Sequence, residues 1–365
     1  SKFGFIGGGY GNTITSVGST ITESSTIVGG NSNTARGQNT AIVGGFNNKI
    51  FSDSSVLVGG INNVLTGNFS TIVGGGYNLV TGGSLGVASE EGTCYSTIVG
   101  GENNILVGAQ SFIGAGLGNF ASGSSMVIAG GSYNQVAGWN STVGGGYQNR
   151  IGITGWGAQG SVRNNFMLHT TPNPEKQWFA RIGYNTIGGG TYNYAIGNSN
   201  TIGGGWENEI DGVGNVIPGG WENQISGYPQ FYSAILGGTK NLVMTNYPDP
   251  TGKNGVRTYT GIWDHWKGPY AQANYILGGF QNRIINGKYN NILNGYYNLI
   301  ADSDHITVEG EQNLIFNNST GVFVKGTQNI VGTGTLNQIG NPTNGKGLSN
   351  VFIVGDNVYN TKSNV

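Results

Sequence analysis

The sequence predicts an all-β fold, a parallel β-solenoid built as a flattened, two-sided roll with coils of about 15 residues. Three observations predict it. Asparagine recurs with this period, a glycine stands three residues before each of these asparagines, and an aliphatic residue or alanine stands two residues after. In a stack of coils, each repeat position forms a column. The asparagine column, called the asparagine ladder below, comprises Asn33, Asn48, Asn63, Asn78, Asn104, Asn119, Asn134, Asn149, Asn193, Asn208 and Asn223.

Two short strands per coil follow from the repeat unit. Aligned on the asparagine, it reads Ser/Asn-Thr-Ile-Val-Gly-Gly-x-x-Asn-x-Ile-x-Gly. The first strand carries the aliphatic pair before the glycines, and the second carries the aliphatic residue after the asparagine. A three-sided coil would need about 18 residues, whereas the shorter coil of this chain suits a roll with two sides.

The interior is predicted to be one side chain thick, between two facing apolar columns. The first column lies two residues after the asparagines: Ala35, Ile50, Leu65, Val80, Leu106, Ala121, Val136, Ile151, Ala195, Ile210, Ile225, Val243, Ile284, Ile300, Ile315 and Val331. The second lies before the glycine pairs: Val28, Val43, Val58, Val73, Val99, Ile113, Ile128 and Val143.

The glycines and asparagines have conformational explanations. Glycine pairs such as Gly29-Gly30 and Gly59-Gly60 are expected where φ is positive or where coils approach too closely for a Cβ. Stacked asparagines are expected to pass side-chain amide hydrogen bonds from coil to coil while tolerating left-handed turn geometry. The asparagine spacing therefore indicates a structural ladder and requires no ligand.

Composition excludes several classes of protein. The chain has 365 residues with 70 glycines, 8 prolines and 36% hydrophobic residues, without a Gly-X-Y period, so neither collagen nor a disordered glycine-serine tract fits. Charged residues make up 9% and the formal net charge is −1, which argues against nucleic acid as a partner. No apolar run approaches membrane-spanning length, so no membrane insertion is expected.

The same composition also leads to expectations about the location of the protein and its cofactors. Cys94 is the single cysteine and has no partner for an internal disulfide. The chain enters its first coil without the pattern of a secretory signal. A charge-poor surface kept soluble by Asn, Ser, Thr and Gln suits an extracellular or virion-surface location, and no cofactor is expected.

Interruptions of the period define the predicted organisation. Residues 1–340 are expected to form the solenoid, with insertions near 82–95, 152–181 and 244–275, and 341–365 to form a C-terminal cap or assembly segment that contains the strand-like run 351–355. Insertions in solenoids form loops on one face, which is commonly the binding face.

Aromatic residues concentrate in and near these insertions. Their rings suit sugar rings, and neighbouring carboxylates or amides suit sugar hydroxyls. The alternative is that the loop aromatics pack against the roll, and that Trp206 and Trp221, one coil apart, simply stack. The glycan hypothesis assigns binding to Trp156, Trp178, Trp206, Trp221, Tyr259, Trp263, Asp264 and Trp266.

Catalytic and metal chemistry has little support in the sequence. The three histidines lack metal-ligand spacing, and the repeat carries a neutral asparagine where calcium-binding rolls carry aspartate. Calcium near Asp249 or between Asp302 and Asp304 stays open. A tail-spike glycosidase would need a carboxylate pair drawn from Glu175, Asp249 and Asp264. Ice binding would need a regular threonine array, which valine, alanine and phenylalanine interrupt.

The motifs at 70–78 and 141–149 resemble the head repeats of trimeric autotransporter adhesins and related repeats of phage and virus fibres. The resemblance covers most of residues 1–340. It implies a left-handed β-roll that forms a homotrimer and attaches to surfaces. The sequence departs from the adhesins in lacking a coiled-coil stalk and a membrane-anchor barrel, which favours a virion fibre or a detached filament.

The functional expectation is a non-enzymatic attachment or structural fibre that displays aromatic loops for cell-surface glycans. The alternative is a self-assembling filament, or a capsid or sheath component, that binds no receptor. The two differ in whether replacing loop tryptophans abolishes attachment.

Overall fold

A computed structural model describes residues 3–15, 24–81, 95–152, 183–226, 230–244, 271–316, 319–332, 335–337, 341–343 and 349–360. The chain divides into two compact units, Ser1–Pro172 with Arg181–Gly190 and Asn173–Ala180 with Thr191–Val365. The described part of each unit is all-β and forms a parallel β-solenoid with coils of the predicted length, which confirms the predicted fold class. Within it, no helix has the length and apolarity needed to cross a bilayer.

Each coil of the first unit contributes one strand to each of two parallel sheets. The pre-glycine sheet consists of Phe5–Ile6, Thr26–Ile27, Ala41–Ile42, Val56–Leu57, Thr71–Ile72, Thr97–Ile98, Phe112–Ile113, Val127–Ile128, Thr142–Val143 and Thr186–Ile187. The post-asparagine sheet consists of Thr13–Ile14, Thr34–Ala35, Lys49–Ile50, Val64–Leu65, Leu79–Thr81, Ile105–Ala109, Phe120–Ser124, Gln135–Trp139 and Arg150–Ile151.

The second unit repeats this arrangement. Its pre-glycine sheet consists of Thr201–Ile202, Val216–Ile217, Ala234–Ile235, Tyr275–Ile276, Asn291–Tyr296, Asp304–Glu311, Thr320–Thr327 and Ser349–Val354. Its post-asparagine sheet consists of Tyr194–Asn198, Glu209–Val213, Gln224–Ser226, Gln230–Phe231, Leu242–Met244, Ala271–Gln272, Arg283–Ile285, Leu299–Ala301, Leu314–Ile315, Ile330–Val331 and Tyr359–Asn360. An antiparallel pair joins Thr335–Asn337 to Asn341–Thr343.

Strand register persists across the interruptions of the period. Ordinary neighbours pair one period apart, as Ile27 does with Ile42. Across the first interruption Thr71 pairs with Thr97, and across the second Thr142 pairs with Thr186. The predicted insertions fall largely on 82–94, 153–182 and 245–270, outside the described residues. The coils on either side therefore stack as if adjacent in sequence.

The run 351–355 was predicted to be strand-like, and most of it lies in the strand Ser349–Val354, which pairs in parallel with Thr320–Thr327. The hydrogen-bond ladder also reaches this segment. Asn329 Nδ2 donates to Gly355 O at 2.7 Å, and the backbone N–H of Val358 donates to Asn329 Oδ1 at 2.9 Å. This part of the C-terminal segment thus adds a further coil to both sheets.

The first predicted core column is confirmed, because every member from Ala35 to Val331 has no exposed surface. The second is wrong in its first five members. Val28, Val43, Val58, Val73 and Val99 are 52%, 45%, 39%, 41% and 43% exposed. The inward residues are Ile27, Ile42, Leu57, Ile72 and Ile98, followed by the correctly predicted Ile113, Ile128 and Val143.

Side-chain alternation explains the error. In a strand, successive side chains point to opposite faces, so inward Ile27 places both Thr26 and Val28 outside and Ser25 inside. Counting one period back from Ile113 reaches Ile98 rather than Val99. A strict count of the period therefore identifies the inward residues correctly.

In pairs such as Gly29-Gly30, Gly44-Gly45 and Gly59-Gly60, only the second glycine meets the predicted requirement. Gly30, Gly45 and Gly60 have φ of 93°, 92° and 90°, and a Cβ on any of them would collide with the glycine carbonyl of the next coil. The first glycine, such as Gly59, faces open space. In these pairs the requirement for glycine is therefore confined to the second position.

The left-handed residue of the turn was predicted wrongly. The ladder asparagines do not adopt positive φ; the residue before each one does, as at Asn47 (51°), Asn62 (55°) and Tyr77 (55°). A second left-handed position occurs at the other turn, for example at Gln110 (54°). Each such residue other than glycine costs roughly 1–2 kcal/mol of backbone strain, with asparagine tolerating it best.

Replacing exposed Gln110 tests this strain. Gln110→Gly is expected to raise the free energy of unfolding by about 0.5–1 kcal/mol, because glycine adopts positive φ without strain. Gln110→Val is expected to lower it by about 1–2 kcal/mol, since a β-branched residue disfavours this region. Urea denaturation of the two variants measures the difference, and equal stabilities would contradict the assignment.

Candidate binding surfaces

The asparagine ladder is a closed hydrogen-bond network in the interior. Asn63 Nδ2 donates to Asn48 Oδ1 at 3.1 Å and to the carbonyl oxygens of Gly59 and Gly75 at 3.2 and 3.0 Å, while Asn63 Oδ1 accepts from the backbone N–H of Asn78 at 3.0 Å. All predicted ladder members are buried. The structural interpretation of the ladder is confirmed, and its amides are not exposed to a ligand.

A second buried polar column stands at the opposite turn and was missed by the sequence analysis. In the first unit it consists largely of serines, and the backbone N–H of Ser70 donates to Ser55 Oγ at 3.3 Å. In the second unit it includes asparagines, and the backbone N–H of Asn215 donates to Asn200 Oδ1 at 3.0 Å. The Ser/Asn that opens the repeat unit was the available signal.

The outward face of the pre-glycine sheet in the first unit carries no charged residue, and most of its side chains are apolar. We call it the valine face. It carries two adjacent columns along five coils: Thr26, Ala41, Val56, Thr71 and Thr97, and beside them Val28, Val43, Val58, Val73 and Val99. The opposite sheet differs, since its outward column includes Lys49 and Arg150. Contiguous exposed apolar surface of this kind marks interaction sites.

Most residues of the glycan hypothesis fall outside the described part of the chain. These are Trp156, Trp178, Tyr259, Trp263, Asp264 and Trp266; the same holds for the glycosidase candidates Glu175 and Asp249. Their assignment stays a prediction. Trp206 and Trp221 are described and belong to the second unit.

Trp206 and Trp221 stack on each other at the turn before the asparagine ladder. Their backbones form a parallel bridge, their ring centroids lie 5.7 Å apart and their planes differ by 18°. The predicted stacking between coils is thereby confirmed. Each ring is still about half exposed, at 50% and 48%. The pair therefore combines a packing role with accessible aromatic surface.

Polar side chains flank the tryptophan pair. Glu207 and Glu222 each follow a tryptophan and hold the left-handed position of their turns, with φ of 55° and 52°. Lys240 follows in the next coil, and its Nζ lies 3.4 Å from Glu222 Oε2. Gln224 Nε2 donates to Glu209 Oε2 at 3.1 Å on the adjoining strand face. The turn thus presents aromatic and hydrogen-bonding groups together.

Asp302 and Asp304 each accept a hydrogen bond from the neighbouring coil. Burial raises the pKa of the Asp302 carboxyl, and the hydrogen bond from Asn286 Nδ2 to Asp302 Oδ1 (2.9 Å) partly offsets this. The backbone N–H of Lys288 donates to Asp304 Oδ1 at 2.8 Å. Across the ranges given above, no three His, Cys, Asp or Glu residues cluster in a way that could hold a metal ion.

No family model matches the sequence, and no curated protein matches it. The resemblance to fibre and adhesin repeats accordingly stays a prediction.

Proposed function

We propose that this protein is a non-enzymatic fibre protein of the structural or attachment type, which associates laterally with copies of itself through the valine face. The carrying observation is the exposure of Val28, Val43, Val58, Val73 and Val99 on a face without charge. Covering this face removes apolar surface from water without desolvating an ion, which favours association.

The repeat geometry favours another copy as the occupant. The first unit has the same spacing between coils, about 4.8 Å, in every copy of the protein. Rows of valine on one copy can therefore fit between the corresponding rows on another. Three copies with this face turned inward would form the trimer implied by the resemblance. An open filament is the other outcome of the same contact.

Attachment is the use that this architecture serves best. A multimer presents each surface site several times, which raises weak binding through avidity. The non-enzymatic role is supported by the ladders, because buried polar side chains such as Asn63 and Asn208 are engaged in coil-to-coil hydrogen bonds. We place the protein at an extracellular or virion surface, because a charge-poor exterior of neutral polar residues suits that location.

Placing charge on the valine face tests the proposal. The double substitution Val43→Lys and Val58→Lys is expected to reduce the assembly to the 38.0 kDa monomer, because burying two ammonium groups in the contact is unfavourable. Sedimentation velocity measures the mass, and circular dichroism checks that the β-fold remains.

The control places lysine on the other sheet. Leu79→Lys and Gln135→Lys alter the outward column that already carries Lys49, so the assembly is expected to persist. If the valine-face variant keeps the wild-type mass, the proposed contact is wrong.

A further inference from the structure

We infer that the second unit contains a saccharide-binding notch, formed by Trp221, Thr239 and Phe280 with Glu222, Lys240 and Gln281 at its rim, which takes one neutral pyranose ring. The inference deepens the proposed attachment function and rests on it for its biological purpose. The binding itself requires one unit only.

The notch arises from the column of residues at the turn before the asparagine ladder. Parallel bridges join Trp206 to Trp221, Trp221 to Thr239 and Thr239 to Phe280. The small Thr239 therefore lies between two aromatic residues that are two coils apart. Two coils correspond to about 9.6 Å along the stack.

Trp221 provides the apolar platform. One face of its indole is covered by Trp206 at a centroid distance of 5.7 Å, yet 48% of the residue is exposed. The exposure is explained if the face on the Thr239 side and the outer ring edge are open to solvent. An open indole face suits the C–H face of a sugar ring, because it offers apolar contact at low entropic cost.

The width of the notch favours a puckered saturated ring over a flat base. Carbon atoms in contact lie about 3.5–4.0 Å apart, so contacts on both sides take up some 7–8 Å of the roughly 9.6 Å that two coils place between the backbones of Trp221 and Phe280. About 2 Å is left for the thickness of the ligand itself. A pyranose with its axial substituents fills this thickness, whereas a planar nucleobase would leave a gap.

The rim supplies groups for sugar hydroxyls. Glu222, Lys240 and Gln281 follow the three notch residues and share the left-handed backbone conformation, with φ of 52°, 56° and 53°. They therefore form a column beside the notch. Glu222 and Lys240 pair at 3.4 Å, so their charges offset each other. This arrangement offers a carboxylate, an ammonium and an amide to hydroxyls, and gives an acidic sugar no unpaired cation.

Saturation-transfer NMR on the full chain tests the inference. The probes are the methyl glycosides of glucose, galactose, mannose and N-acetylglucosamine, together with adenosine as a planar ligand. Transfer to at least one glycoside is expected. Trp221→Ala should weaken that binding about tenfold or more. Trp139→Ala should leave it unchanged, since Trp139 is equally exposed, at 54%, but belongs to the first unit.

Thr239→Trp is a second variant, in which the larger side chain fills the notch. The same column already holds tryptophan in the two preceding coils, so the fold should accept it. Binding should be lost because the notch is closed while Trp221 is kept. No transfer to any glycoside, unchanged binding in Thr239→Trp, or preference for adenosine would each overturn the inference.

The two proposals fail separately. A chain that binds a glycoside but remains a monomer keeps the notch and loses the valine-face contact. A chain that assembles but shows no transfer keeps the contact and loses the notch.

Discussion

Asn63→Leu is expected to lower the free energy of unfolding of the first unit by about 3–5 kcal/mol, one of the largest effects of any single substitution in the chain. The leucine side chain has the same branching and number of heavy atoms but makes no hydrogen bonds. The buried N–H of Asn78 and the part-buried carbonyl of Gly59 would lose their bonds to the Asn63 side chain, while the carbonyl of Gly75 would keep the backbone N–H of Ile61 as its donor. Each unpaired buried group costs about 1–3 kcal/mol. Urea denaturation followed by circular dichroism measures the loss.

Asn62→Asp is the matched control. Asn62 is the adjacent turn residue, and its Oδ1 accepts from Asn47 Nδ2 at 2.7 Å, a bond that an aspartate can also accept. Aspartate also tolerates the left-handed conformation. Stability within about 0.5 kcal/mol of wild type is expected. Equal losses in the two variants would show that the ladder has no special role.

Gly60→Ala is expected to destabilise the first unit by about 3 kcal/mol or more. Two causes add: alanine at φ of 90° is strained, and its Cβ would collide with the carbonyl oxygen of Gly75, which belongs to the backbone of the next coil. Relief would require the coils to separate and so weaken the ladder bonds between them. The thermal unfolding midpoint and urea denaturation both report the effect.

Gly59→Ala makes the comparison within one glycine pair. A Cβ at Gly59 would meet nothing within 4 Å. Its backbone does not need positive φ, so alanine should leave stability unchanged or raise it by up to about 1 kcal/mol. Comparable damage from the two substitutions would contradict the assignment of the requirement to the second glycine alone.

The fold could be predicted from the sequence because the repeat is marked by asparagine and glycine, which differ chemically from the residues around them. Asparagine and glycine stand out in each repeat unit, and their columns could be placed directly. Ile27 and Val28 could not be told apart by hydrophobicity, because both are aliphatic and adjacent. Counting one period back from Ile113 identifies Ile98 as the inward residue. Side-chain alternation then places the neighbouring valines on the surface instead of in the core.

The candidate sites were predictable only in part. Stacking of Trp206 on Trp221 followed from their spacing of one coil. Thr239 and Lys240 were missed because they lie more than one period after Trp221 and Glu222, so a strict count of the period does not align them. The left-handed turn residues gave no compositional signal, since serine, asparagine, tyrosine, glutamine and glutamate all occupy them.

Self-association is tested most directly by static light scattering on the full chain over a wide range of concentrations. We expect a mass that is a multiple of 38.0 kDa, with three copies in the trimeric form. A mass of 38.0 kDa at every concentration would contradict the proposal that the valine face joins copies of this protein.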